Sequence, residues 1–143
     1  MFGAGEQKPR ILLVEDEALI RLAVLDALED CGFEVAIALN AGDALKQIEH
    51  ADFDLVFTDI QMPGKINGLG LASWLRINRP GLPVFLATGN VGMANTAHEI
   101  CEKHHRMFTK PYDIVALAKM MGEAIRTRAP GPVFRPSVPE LGS

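Results

Sequence analysis

The sequence has few of the features that mark secreted, membrane-spanning or nucleic-acid-binding proteins. Its two cysteines, Cys31 and Cys101, lie far apart and form no CxxC motif, which favours reduced thiols in a cytoplasmic protein. No apolar run approaches the roughly 20 residues of a membrane span, and the first residues lack the apolar core of a signal peptide. The net charge of -4 leaves no basic stripe that could neutralise phosphates. We therefore expect neither a membrane nor a nucleic acid as partner.

A chain of 143 residues with 48% hydrophobic and 22% charged residues has the composition of one globular domain with a full core. Residues 1–8 precede the first apolar run and are interpreted as an N-terminal extension. The Pro-rich stretch 129–143 shows neither a helical nor a strand period, which predicts a disordered tail. The domain itself is expected over residues 9–128.

Short apolar runs alternate with helical patterns along this domain. The apolar runs predict five strands, at 10–14, 33–38, 54–58, 83–88 and 106–109. The intervening and final stretches predict five helices, at 16–31, 41–50, 69–78, 92–103 and 113–127. Strict alternation is typical of βαβ units with right-handed crossovers. The predicted fold class is therefore α/β, with a parallel sheet covered on both faces.

Polar residues stand where four of the predicted strands end. Glu15 and Asp16 follow the first strand, Asp59 the third, Thr88 the fourth and Lys110 the fifth. Ligands of an open parallel sheet bind beyond the carboxyl ends of its strands. Three carboxylates there repel one another unless a cation joins them, so the pattern predicts a Mg²⁺ site with oxygen ligands. Together with the hydroxyl and the ammonium group, this set favours phosphoryl transfer onto Asp59 as nucleophile.

Four short motifs carry these residues: LLVEDE (12–17), DIQMPG (59–64), LATG (86–89) and TKP (109–111). In this order they resemble the receiver domain of two-component response regulators, of the stand-alone, single-domain type. The resemblance implies a flavodoxin-like, doubly wound five-stranded parallel sheet of order 2-1-3-4-5 with five helices. It also implies that Asp59 accepts a phosphoryl group from a histidine kinase or a phosphotransfer protein.

The resemblance further implies how the metal is held. Asp16 and Asp59 would ligate Mg²⁺ directly, Glu15 would act through a water molecule, and the backbone carbonyl of Gln61 would complete the protein ligands. The protein would then be no enzyme beyond catalysing its own phosphorylation and dephosphorylation.

The resemblance also implies an output. Thr88 and Lys110 would bind phosphoryl oxygens, and the Lys110–Pro111 bond would be cis. Phosphorylation would switch the face made by the fourth helix, fifth strand and fifth helix. That face would bind an unknown downstream protein or form a homodimer.

Two departures from the commonest receivers stand out. Gly68 lies nine residues after Asp59, one more than usual, a spacing that resembles a branch of mostly stand-alone receivers. Three positions before Lys110, where an aromatic switch residue is usual, the chain has Met107, and Phe108 follows it. Coupling through an inward-turning aromatic ring is therefore not expected.

Two alternative functions use the same residue types. A phosphatase of the haloacid dehalogenase type also combines a nucleophilic Asp with Thr, Lys and Mg²⁺-binding acids. In that family, however, the nucleophile follows the first strand and a second Asp lies two residues on, whereas Gln61 lies two residues after Asp59. The other alternative is a degenerate receiver that acts only as a binding module.

Overall fold

The computed structural model describes residues 8–62, 67–89 and 105–128, and five strands and four helices lie within them. The strands are β1 (Arg10–Val14), β2 (Glu34–Ala38), β3 (Leu55–Asp59), β4 (Val84–Thr88) and β5 (His105–Thr109). The helices are α1 (Ala18–Asp30), α2 (Ala41–His50), α3 (Gly68–Asn78) and α4 (Ile114–Thr127). All neighbouring strands pair in parallel in the order β2-β1-β3-β4-β5, which confirms the predicted sheet.

The predicted elements agree with the structure to within about two residues wherever the chain is described. Helix α1 begins at Ala18 rather than at the predicted residue 16, because Glu17 has an extended backbone with φ -80° and ψ 118°. The predicted helix 92–103, the tail 129–143 and most of the N-terminal extension lie outside the described residues. The predicted domain boundaries therefore stay predictions. Within the described residues, no helix combines the length and the apolar character that crossing a membrane requires.

Side chains of the central strands alternate between the two faces of the sheet and build two hydrophobic clusters. In β1, Leu12 and Val14 join the cluster that includes α2 and α3. Ile11 and Leu13 join the cluster that includes α1 and α4. Full burial of such a side chain contributes roughly 1.5–3 kcal/mol, so both faces of a strand stabilise the fold. Coverage of both faces explains why β1, β3 and β4 are largely apolar, whereas the edge strand β2 begins with the exposed Glu34.

Three of the four described helices begin with a side-chain cap. Asn40, Asn67 and Asp113 accept hydrogen bonds from backbone N–H groups in the first turns of α2, α3 and α4. Helix α1 differs, because its N-cap residue Glu17 makes no side-chain capping hydrogen bond. The loop between β1 and α1 therefore takes its order from contacts other than a cap.

At the amino edge of the sheet, Asp54 forms an ion pair with Arg128 and a hydrogen bond with the backbone of Arg10. The Arg128 guanidinium, just beyond α4, lies 3.1 Å from a carboxylate oxygen of Asp54. The other oxygen of Asp54 accepts a hydrogen bond from the Arg10 backbone N–H at 2.8 Å. These contacts connect the end of α4 to the starts of β1 and β3, at the edge of the sheet opposite the polar cluster.

Candidate functional site

The structure brings five of the predicted site residues together at the carboxyl edge of the sheet. Glu15 and Asp16 follow β1, Asp59 ends β3, Thr88 ends β4 and Lys110 follows β5. Strands β1 and β3 are direct neighbours, and only β4 separates β3 from β5. Parallel pairing therefore places all of these residues along one edge.

Lys110 is the central cation of this edge. Its Nζ lies 2.8 Å from Asp59 Oδ2 and 3.7 Å from Glu15 Oε1, and both acids are buried. Burial alone would lower the pKa of Lys110, but the hydrogen bond and charge of Asp59, with the charge of Glu15, raise it above its ordinary value. Lys110 therefore stays charged and compensates part of the negative charge of the two acids.

Glu15 is harder to ionise than an exposed glutamate, mainly because it is buried. Burial raises the pKa of Glu15 to about 7, and the nearby charge of Asp59 adds to this. The Glu17 backbone N–H, which donates to Glu15 Oε2 at 3.2 Å, and the charge of Lys110 oppose the rise without cancelling it. Ionising both buried acids is thus costly, since Lys110 supplies the one ammonium group that contacts them among the described residues.

The acids of the pocket fit a divalent cation. Glu15, Asp16 and Asp59 each offer one carboxylate oxygen, and these atoms lie within 4.8 Å of one another. Asp16 is exposed whereas the other two are buried, so the cluster opens to solvent on one side. Oxygen donors in a partly open site suit Mg²⁺, which keeps several waters. The Gln61 backbone N–H donates to Asp59 Oδ1 at 3.1 Å, and the Gln61 carbonyl stays a predicted ligand.

Thr88 and Tyr112 line the same edge. Thr88 is buried, and its carbonyl accepts a hydrogen bond from the Lys110 N–H at 2.8 Å. The Tyr112 ring meets Phe57 edge-on with centroids 5.6 Å apart. Burial, followed by the charges of the nearby acids, raises the pKa of Tyr112 to about 12, so its hydroxyl stays neutral. Tyr112 was not among the predicted site residues. Its position two residues after Lys110 could have indicated that it lies at the same edge.

The family model described as response regulator receiver domain matches residues 11–122. The chain belongs to this family. Receiver domains are signalling modules that bind Mg²⁺ at an acidic pocket and interact with histidine kinases or phosphotransfer proteins. Membership therefore favours the receiver interpretation of the aspartate, threonine and lysine over that of a haloacid-dehalogenase-type phosphatase.

Curated relatives of this receiver domain are longer regulators. The DNA-binding transcriptional regulator NtrC of Rhizobium meliloti is 35% identical over 117 residues, which are 80% of this chain and 24% of that protein. The alginate biosynthesis regulator AlgB of Pseudomonas syringae is 38% identical over 90 residues, 63% of this chain and 20% of that protein. The chain thus spans no more than a quarter of the length of these two regulators.

Solved receiver domains have the same architecture. The receiver domain of NtrX from Brucella abortus superposes with a TM-score of 0.72 at 33% identity, covering 82% of this chain and 98% of that one. The CheY-like receiver domain protein of Methanospirillum hungatei gives a TM-score of 0.74 at 29% identity, covering 84% of this chain and 95% of that one. These near-complete overlaps identify the described fold as a receiver fold.

Strand β5 of this receiver domain places its aromatic side chain away from Met107. Met107 is half-buried against the cluster that includes α2 and α3. The Phe108 ring instead lies 5.4 Å from Phe85, within the cluster on the opposite face. The aromatic ring of β5 therefore belongs to the α1 and α4 side of the sheet. The Lys110–Pro111 peptide bond, just beyond this strand, is cis, as the resemblance implied.

Gly68, the first residue of α3, packs directly on the end of β3. Its N–H donates to the Ile60 carbonyl at 3.0 Å. A Cβ at this position would overlap the Asp59 carbonyl oxygen and would lie 2.7 Å from the Ile60 Cα. Only a residue without a side chain lets α3 begin so close to the strand that carries Asp59.

Gly68→Ala should destabilise the receiver domain by about 1–3 kcal/mol, the usual cost of forcing extra atoms into a packed site. Alanine is the better helix former, so propensity alone predicts the opposite sign. Urea unfolding followed by circular dichroism measures the difference. Gly89→Ala is the matched control, because a Cβ there meets no heavy atom of the described residues within 4 Å. If both variants keep wild-type stability, the close approach of α3 is wrong.

Proposed function

We propose that this receiver domain is a phosphorylation switch in which Asp59 accepts a phosphoryl group from the phosphohistidine of a histidine kinase or phosphotransfer protein. The contact of 2.8 Å between Lys110 Nζ and Asp59 Oδ2 carries this proposal. It places a permanent positive charge beside one carboxylate at the strand edge where a ligand arrives. The acidic pair that follows β1 supports the same assignment, because it offers carboxylate oxygens for a metal close to Asp59.

In the transfer, an Asp59 carboxylate oxygen bonds to phosphorus as the phosphorus–nitrogen bond of the donor breaks. The electron pair of that bond stays on the imidazole nitrogen, which takes up a proton, and Asp59 becomes an acyl phosphate. Lys110 neutralises charge on the phosphoryl oxygens, and the Thr88 hydroxyl donates a hydrogen bond to one of them. The residues thus contribute positioning and electrostatic stabilisation rather than a separate base.

Mg²⁺ would be held by Asp16 and Asp59 directly, by Glu15 through water and by the Gln61 carbonyl. When bound, it supplies the positive charge that the pocket lacks and shields the incoming phosphoryl group from the carboxylates. A cation near the buried Glu15 carboxylate would oppose the rise of the Glu15 pKa to about 7.

The output is a shift between two conformations of the face that includes β5 and α4. With Met107 in place of an aromatic residue, movement of Thr88 toward the phosphoryl group carries the coupling. The shifted face binds a downstream protein or a second copy of the chain. The predicted helix 92–103, which belongs to the same face, lies outside the described residues.

Exposed apolar side chains lie near the starts of the two helices that follow the acidic pair and the lysine along the chain, and they suit a protein phosphodonor. Leu19 is 83% exposed and Leu22 58% exposed in the first turns of α1, and Val115 is 59% exposed in the first turn of α4. Both helices start directly beyond the acids and the lysine of the site. We infer that a protein that brings a histidine to Asp59 docks on these side chains, because their burial would contribute to its binding.

Acetyl phosphate with Mg²⁺ should add one phosphoryl group to the wild-type chain and none to Asp59→Asn, as measured by intact mass. Asp26→Asn is the control, because it makes the same chemical change on the exposed surface of α1. Label that persists in Asp59→Asn would overturn the phosphoacceptor assignment. A wild-type chain that binds Mg²⁺ yet stays unlabelled would favour the degenerate receiver that acts only as a binding module.

Leu22→Glu should slow transfer from a phosphorylated histidine phosphotransfer protein that labels the wild type, by roughly tenfold for one disrupted apolar contact. Labelling by acetyl phosphate should be unchanged, since that small donor needs no docking surface. Ile77→Glu is the matched control, because Ile77 is 72% exposed on α3, away from α1. Equal loss of transfer in both variants, or equal loss with both donors, would contradict the docking role of Leu22.

A further inference from the structure

Arg21 lies in α1, yet its side chain reaches back to the loop that carries the acidic pair. Its Nη1 donates to the Glu15 carbonyl oxygen at 3.2 Å and to the Asp16 carbonyl oxygen at 3.4 Å. Both acceptors are backbone atoms of residues whose side chains are the expected metal ligands. Arg21 thus binds the backbone of both residues, whereas the Glu15 carboxylate contacts Lys110 and the Glu17 N–H.

The loop that Arg21 contacts is held by the Glu15 side chain as well, through the Glu17 N–H at 3.2 Å and Lys110 Nζ at 3.7 Å. The loop contains three consecutive acids, Glu15, Asp16 and Glu17, whose mutual repulsion favours an extended backbone. The Glu17 side chain provides no cap for α1. The Glu15 N–H is fixed by the Ala38 carbonyl at 3.0 Å, which anchors the β1 end of the loop. The guanidinium anchors the following two carbonyls from the helix side.

We propose that Arg21 is a positioning residue of the metal site, which orients the Glu15 and Asp16 carboxylates by fixing the backbone beneath them. This inference rests on the proposed function, because it concerns the same Mg²⁺ site. A guanidinium suits the role, since its planar set of donors can serve two carbonyls from one side chain. Mutating a residue that orients the ligands of a metal without touching the metal typically lowers metal affinity by about 10–100-fold.

Arg21 affects a bound cation in two opposite ways. Its backbone contacts organise the ligands and should tighten Mg²⁺ binding. Its positive charge repels the cation and should weaken that binding. Removing the side chain therefore separates the two effects by sign: weaker binding means that positioning dominates, whereas tighter binding means that charge dominates.

The test is an isothermal calorimetric titration of the full chain with Mg²⁺. Arg21→Met should weaken binding by about tenfold, at the lower end of the range for outer contacts of metal ligands. Arg21→Lys, which keeps the charge and one donor group, should fall between Arg21→Met and the wild type. Arg126→Met deletes an exposed arginine in the last turn of α4 and should leave the affinity unchanged.

A second measurement tests the contact without metal. The backbone carbonyl ¹³C resonances of Glu15 and Asp16 should shift in Arg21→Met and not in Arg126→Met, recorded with a chelator present. Thermal melting checks folding, and Arg21→Lys replaces Arg21→Met if the latter melts early. Unchanged or tighter Mg²⁺ binding in the folded variant would overturn the positioning role. Failure of acetyl phosphate to label wild-type Asp59 would instead refute the proposed function. The Mg²⁺ titration would still test the positioning role of Arg21.

Discussion

The contact between Lys110 and Asp59 holds the carboxyl edge of this sheet together. Two unit charges 4 Å apart interact by about 4 kcal/mol at the effective dielectric of a protein surface, against about 1 kcal/mol in water. A cation between Asp59 at 2.8 Å and Glu15 at 3.7 Å can therefore offset much of the cost of burying both acids. It also links the end of β5 to the ends of β3 and β1, although β4 lies between β5 and β3.

Within the described part of the chain, the single ammonium group of Lys110 faces three carboxylates, and the chemistry of the site follows from that imbalance. The remaining negative charge makes the pocket attractive to a divalent cation, and the raised pKa of Glu15 is another expression of the same burial and crowding. The backbone around the acids is held from two sides. Gly68 lets α3 pack directly on the end of β3, and Arg21 reaches from α1 to the loop after β1. The site thus depends on helix starts as much as on strand ends.

The sequence predicted the sheet and the residues at its edge because both follow from regular patterns. Alternation of apolar runs and helical periods implies parallel strands, and parallel strands bring Asp59 and Lys110 to one edge. The role of Arg21 could not be predicted in this way, since its reach back to two carbonyls depends on a rotamer and on the late start of α1. The close packing of Gly68 likewise depends on the distance between α3 and β3, which spacing along the chain does not give. The pKa of Glu15 depends on the depth of burial, which a strand-end position leaves open.

The central claim is that Asp59, Lys110 and the acidic pair form one phosphoryl and metal site. A crystal structure with Mg²⁺ and beryllofluoride, which mimics a phosphoryl group, tests it most directly. We expect beryllium bonded to an Asp59 carboxylate oxygen, a fluoride within hydrogen-bond distance of Lys110 Nζ, and Mg²⁺ in contact with Asp16 and Asp59. Beryllofluoride bound to another carboxylate, or Mg²⁺ bound away from the acidic pair, would contradict it.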